Sequence, residues 1–94
     1  MNPQVSKIII EALSDFNPDM IGVFGSFARG EENEQSDLDI LVRFKSAISL
    51  LKLIHIEQIL SKKLGRKVDL VSEGALKNQT IKESVYKDLK VIFQ

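Results

Sequence analysis

The 94-residue chain carries thirteen basic and thirteen acidic side chains, no cysteine, and a 44% hydrophobic share. The length predicts one compact domain over residues 1–94 and the hydrophobic share excludes a disordered chain, while the missing cysteines exclude a disulfide framework or a thiolate metal site. Zero net charge argues against a protein that lives on nucleic-acid backbone contacts, so direct nucleic-acid binding is not expected. No apolar stretch approaches the roughly 20 residues of a membrane span, and Met1-Asn2-Pro3-Gln4 lacks a signal-peptide pattern, so a cytoplasmic location is the expectation.

The first predicted element is a helix. Asn2 can cap it, Pro3 suits its first turn, and Val5, Ile8, Ile9, Ala12, Leu13 and Phe16 recur at helical spacing. Asp15-Phe16-Asn17-Pro18-Asp19 reads as a turn, and Met20-Ile21-Gly22-Val23-Phe24 as a buried strand. Gly25-Ser26-Phe27-Ala28-Arg29-Gly30 follows as a tight turn into a short helix, then a polar loop from Glu31 to Gln35. Leu38 to Phe44 is the second strand, with Asp37 at its entrance. Ile48 to Leu64 is the longest predicted helix: Leu53, Ile56, Leu60 and Leu64 form one apolar row, Leu50 and Ile54 widen it, and Gly65 stops it. Lys67 to Val71 is a third strand, and Thr80 to about Lys87 is helical. Leu89 to Phe93 is either a fourth strand or the end of that helix. This order predicts an α/β (α+β) fold, a small mixed sheet of three to four strands flanked by helices.

Chemistry concentrates in Ser36-Asp37-Leu38-Asp39. Side chains alternate across a strand, so Asp37 and Asp39 share one face while Leu38, Ile40 and Val42 share the other. Two carboxylates so close repel unless a cation lies between them, and such hard oxygen donors suit Mg²⁺ or Mn²⁺. Taken alone, the pattern also fits an exposed acidic strand edge. Val68-Asp69-Leu70 repeats the arrangement, and if the two strands are neighbours Asp69 converges on the same patch. Gly25 permits a tight turn and close backbone approach, Ser26 offers a hydroxyl, and the amides that follow face outward at a helix start, a seat for phosphate. Arg29 can neutralise phosphate charge, pair with one of the aspartates, or hold the loop to the strand. His55, the only histidine, is expected at a helix boundary position. Lys62, Lys63, Arg66 and Lys67 read as a solvated helix end.

Together, Gly25-Ser26-Phe27-Ala28-Arg29-Gly30, Ser36-Asp37-Leu38-Asp39-Ile40-Leu41-Val42 and Val68-Asp69-Leu70-Val71 resemble the DNA polymerase β-like nucleotidyltransferases. More closely still, they are similar to the minimal nucleotidyltransferase (MNT) branch, the antitoxin partners of HEPN-domain toxins. The resemblance implies the polymerase β-like fold and a metal-dependent transfer of a nucleoside monophosphate with loss of pyrophosphate. It implies that Asp37, Asp39 and Asp69 ligate two Mg²⁺ ions, with Mn²⁺ as a substitute, and that Asp69 helps activate the acceptor. Gly25 and Ser26 would hold the triphosphate tail, with Arg29 and Ser36 as further nucleotide-binding residues. The implied donor is ATP and the implied acceptor a tyrosine of a cognate HEPN toxin, which AMP addition silences.

Two alternatives stay open. The domain could neutralise its partner by binding alone, or it could modify a small molecule or an RNA end. Relatives of the latter kind carry a second domain for the acceptor, and little chain here remains after the core. A partner protein that brings its own surface is therefore the expectation, in a hetero-oligomer or a homodimer. Val85, Val91, Ile92 and Phe93 are candidates for the contact surface or for core packing.

Overall fold

The computed structural model describes residues 2–94. Helix α1 (Pro3–Leu13) is capped by the Asn2 side chain, which accepts from the Gln4 amide at 2.8 Å. A 3-10 turn at Ser14–Phe16 ends at Asn17, whose left-handed φ of 56° turns the chain into strand β1 (Pro18–Phe24). Pro18 occupies the first strand position and Met20 follows a register shift, an arrangement that suits a residue with no amide hydrogen. The short helix α2 (Ser26–Arg29) leads through the polar loop to β2 (Leu38–Phe44). Then come α3 (Leu50–Leu64), β3 (Val68–Ser72), a 3-10 turn at Glu73–Ala75, α4 (Gln79–Asp88) and β4 (Lys90–Phe93).

The predicted mixed sheet is present with four strands, in the order β3-β2-β1-β4. Strand β1 runs antiparallel to both β2 and β4, while β2 and β3 run parallel through the crossover helix α3. Residues Leu89 to Phe93 therefore leave the helix and return as an edge strand, which settles the alternative left open by the sequence. Helix α3 starts at Leu50 rather than Ile48, because Ser49 caps it by accepting from the Lys52 amide at 3.1 Å.

The sheet has two unequal faces. On one, Ile21, Val23, Leu38, Ile40, Val42, Val68 and Leu70 meet Ile9 and Leu13 of α1 and Ile56 and Leu60 of α3 in the main core. On the other, Met20 and Leu41 meet Val85 of α4, with Phe24, Val71, Leu76 and Leu89 around them. Gly22 lies beneath Leu89, and an added Cβ there would crowd the Leu89 side chain. The outer edge of β3 is closed by α3. Ser61 Oγ accepts from the Val68 amide at 3.0 Å and Glu57 from the Leu70 amide at 2.8 Å. These side chains occupy donors that an unpaired edge would otherwise offer to another strand.

The apolar row of α3 is narrower than its sequence suggests. Leu50 and Ile54 do not widen it, for they face solvent with Leu51 and His55. The fully buried residues of α3 are Ile56 and Leu60, with Leu53 and Leu64 partly buried against the same core. Of the final segment, Val85 is buried and Ile92 packs on the core, whereas Val91 and Phe93 are exposed. No described helix is long and apolar enough to cross a membrane.

This division gives a stability test on a single helix. Leu60 is fully buried and Leu51 is 80% exposed. Leu60→Ala should cost about 2–5 kcal/mol in denaturant unfolding, and Leu51→Ala should stay within about 0.5 kcal/mol of wild type.

Candidate functional site

The parallel pairing of β2 and β3 places Asp39 directly opposite Asp69. Both side chains leave the sheet on the α4 face, beyond the point where Leu41, Val71 and Val85 fill it. On this face the first residues of β2 and β3 thus carry carboxylates, and the later ones carry apolar side chains. Asp37 stands two residues before Asp39, where the loop enters the strand, and its carboxylate lies 3.7 Å from Lys67 Nζ. Burial, followed by the charges of Asp69 and Asp37, pushes Asp39 from 3.8 up to about 6, and the Arg29 charge opposes this in part. Burial is the larger cause and the neighbouring carboxylates add to it.

Gly25 makes the approach of the turn to this carboxylate feasible. It adopts φ 73° at the end of β1, and a Cβ there would run into the Asp39 carboxylate. The Gly25-Ser26 turn and the Asp37-x-Asp39 strand are therefore packed backbone to carboxylate. Ser26 opens α2, whose first amides have no partner within the helix. A cavity of about 310 Å³ lies over this junction, lined by Phe24, Gly25, Arg29 and Asp39 together with Ile81, Ser84, Val85 and Asp88 of α4. A larger groove of about 620 Å³ runs between α1 and β4, away from these carboxylates.

Arg29 is engaged elsewhere than the sequence suggested. It pairs with none of the site aspartates; Nη1 donates to Asp88 at 2.8 Å and Nε to Glu31 at 3.1 Å. The reason is position: Arg29 closes α2 beside the C-terminal end of α4, where Asp88 is disfavoured by the helix dipole and gains from a cation. Ser36 closes the loop, its Oγ accepting from the Asn33 amide at 2.9 Å and its carbonyl from Arg66 at 2.7 Å. Of the α4 lining residues only Val85 figured in the sequence reading, as a candidate for a contact surface or for core packing. Asp88 left a faint trace, an acidic residue in the last turn of a helix, where acids are unfavourable. Nothing in the pattern could bring it to Arg29, 59 positions away.

The donor set suits a hard divalent cation. Asp39 and Asp69 are in register, Asp37 is adjacent, and their mutual repulsion is of the kind a cation relieves. In the present arrangement the side chains do not close into a tight ligand group among the described residues, with Asp37 directed toward Lys67 instead.

Residues 6–92 match the model of the nucleotidyltransferase domain family. The chain is 50% identical over 70 residues to the protein adenylyltransferase MntA of Thermococcus cleftensis, covering 70% of this chain and 71% of that one. It is 52% identical over 69 residues to a Methanocaldococcus jannaschii protein provisionally named a protein adenylyltransferase, covering 73% and 70%. Among solved structures, a toxin–antitoxin crystal structure with AMP-PNP superposes with a TM-score of 0.85 at 27% identity, over 94% of this chain and 72% of that one.

Two predictions follow from the crowding at Asp39. Gly25 and Gly30 share nearly the same φ, 73° and 71°, but an added Cβ at Gly30 meets nothing within 4 Å. Gly30→Ala, at ψ 24° in the left-handed helical region, should lose about 1–2 kcal/mol. Gly25→Ala, at ψ −152° in a region almost reserved for glycine, should lose up to about 3 kcal/mol, and it alone should also weaken Mg²⁺-dependent ATP binding in calorimetry, by tenfold or more on the ~10–100-fold scale of disturbed metal sites.

The second concerns stability. Because folding raises the Asp39 pKa from 3.8 to about 6, the stabilisation from its protonation is complete below 3.8 and is lost as pH rises through 6. Asp39→Asn removes the charge, and with it the cost of its burial and the repulsion from Asp69 and Asp37. In metal-free buffer above pH 6 it should raise stability by about 1 kcal/mol, allowing for solvent screening, or roughly 4–8 °C in Tm. The gain should vanish below about pH 4.

Proposed function

The chain belongs to the nucleotidyltransferase domain family, and from that membership we propose that it transfers AMP from ATP to a tyrosine hydroxyl of a HEPN-type toxin, acting as its antitoxin. The observation that carries this reading is the in-register pair Asp39 and Asp69, packed against the Gly25 turn at one end of an open cavity. A donor set of this kind serves phosphoryl-oxygen chemistry. The adenylyltransferase name of the Thermococcus cleftensis relative supports AMP as the transferred group. The AMP-PNP in the solved toxin–antitoxin structure supports an adenosine triphosphate donor and a toxin partner.

In this reading Asp37, Asp39 and Asp69 hold Mg²⁺, which when bound supplies charge neutralisation on the phosphates and a more acidic acceptor hydroxyl. The chain's own contribution is positioning. The Gly25 backbone and the Ser26 hydroxyl and amide receive the triphosphate tail, with no side chain at residue 25 to block it. Arg29, fixed by Asp88 and Glu31, contributes positive potential from the rim rather than a flexible arm. The apolar α4 residues Ile81 and Val85 form the wall against which a nucleoside can lie. The cavity is open on its outer side, so a tyrosine presented on another protein's surface can reach the carboxylates.

The test uses the chain purified with its co-expressed partner, incubated with Mg²⁺ and ATP and followed by intact-mass spectrometry. A gain of one or more AMP units on the partner is expected. Asp37→Asn/Asp39→Asn should lower the rate by about 10²-fold or more, on the scale of losing preorganised electrostatic stabilisation. No gain from the wild type, with full neutralisation of the toxin by the double variant, would leave an antitoxin that acts by binding.

A further inference from the structure

We infer that Arg66 is a positioning residue that locks the Gly25-Ser26 turn to the strand entrance bearing Asp37. It follows Gly65, whose left-handed φ of 65° ends α3, and its own amide turns back to the Ser61 carbonyl at 3.3 Å. This reversal directs the side chain away from the solvated helix end and across the protein, where it is partly buried. Nη1 donates to two backbone carbonyls, Ser36 at 2.7 Å and Asn33 at 3.0 Å. The guanidinium also lies over the Phe27 ring, 4.7 Å from its centroid.

Each of these contacts is one residue from a site residue or holds the loop that leads to one. The Ser36 carbonyl belongs to the peptide that joins Ser36 to Asp37. Phe27 follows Ser26 in α2. Arg66 itself is three residues from Asp69, and the Lys67 carbonyl beside it accepts from the Leu38 amide at 2.9 Å. Glu31 ties the start of the loop to Ser26 and Arg29, and its middle is otherwise closed on itself through Asn33, Gln35 and Ser36. One planar cation therefore joins the three segments that carry Ser26, Asp37 and Asp69, while Lys67 is the cation that faces the carboxylate. Only arginine fits this place, since the contacts need a flat group that stacks on a ring while its edge donates to two carbonyls.

Lys62, Lys63, Arg66 and Lys67 also form a basic cluster, and attraction of a polyanion by that cluster would depend on charge alone. Arg66→Lys keeps the charge and removes the planar group that stacks on Phe27 and directs Nη1 to the two carbonyls, so it separates the two roles. The kinetic arm rests on the adenylyl-transfer reading; a second arm does not. Wild type, Arg66→Lys and Arg66→Ala would be compared for kcat and KM of AMP transfer, and for amide hydrogen exchange across residues 33–38 and across β1. For both variants we expect kcat to fall tenfold or more, on the ~10–100-fold scale of lost outer-shell partners, with KM for ATP little changed. Exchange at 33–38 should accelerate while β1 stays protected. Wild-type kcat and protection in Arg66→Lys would overturn the inference in favour of charge alone, and uniform loss of protection through β1 would reduce Arg66 to a general structural clamp. If the wild type transfers no AMP at all, the proposed reaction fails and the exchange arm still decides whether Arg66 holds this loop.

Discussion

Asp39 stands opposite Asp69 on parallel strands, with the Gly25 backbone against its carboxylate. That contact couples the elements around the site. A side chain at residue 25 would push β1 and β2 apart at their carboxylate end, and any other register of β3 would carry Asp69 away or turn it into the core. A one-residue slip would bury Asp69 among Ile56, Leu60 and Ile40 and expose Leu70, so the main core holds the register that the charged end requires. The repulsion at one end of the sheet is sustained by apolar burial on its other face. Such a charged site costs stability and persists because the surrounding structure over-determines it.

Much of this was legible because strand alternation is a strict code. Val68-Asp69-Leu70 and Leu38-Asp39-Ile40 could each be read as a carboxylate between two core residues, and the structure places both as expected. What alternation cannot convey is which strands are neighbours. Convergence of Asp69 on Asp39 needed the parallel crossover through α3, and the position of β4 beside β1 needed the chain to reverse at Leu89. Helix periodicity was less informative. Leu50 and Ile54 lie on the apolar side of a helical wheel, but the face a helix buries depends on where it meets the sheet, and the start of α3 overhangs.

Arg29 and Arg66 illustrate the harder limit. In the sequence Arg29 reads as a cation for a phosphate or an aspartate, and Arg66 as part of a solvated helix end. Arg29 is drawn to Asp88 and Glu31, and Arg66 to backbone carbonyls and a ring. A side chain with several donors is claimed by whichever acceptors the fold brings within reach, and backbone carbonyls leave no mark in a sequence. The role of a long polar side chain is thus decided after the fold, whereas the role of a short aspartate on a strand is decided with it.

The chain contains only three arginines, against ten lysines, and all three arginines join separate elements. Arg29 ties α2 to α4 through Asp88. Arg43 forks onto Glu73, with Nε and Nη2 each at 3.1 Å from a carboxylate oxygen, and the Tyr86 phenol of α4 donates to the same carboxylate. Arg66 ties the loop before β2 to α2 and to the turn before β3. Helix α4 buries only Val85, so its hold on the sheet depends on Arg29 and Arg43 at two separate points as well as on apolar packing. The planar guanidinium can form several directed bonds without much loss of freedom, while the mobile ammonium of lysine suits solvent-facing positions. With the main core committed to one face of the sheet, the other face is assembled around the carboxylates by directed polar ties. It follows that the geometry of the site depends on a few specific donors, and that a change from arginine to lysine there is a change of structure even though the charge is kept.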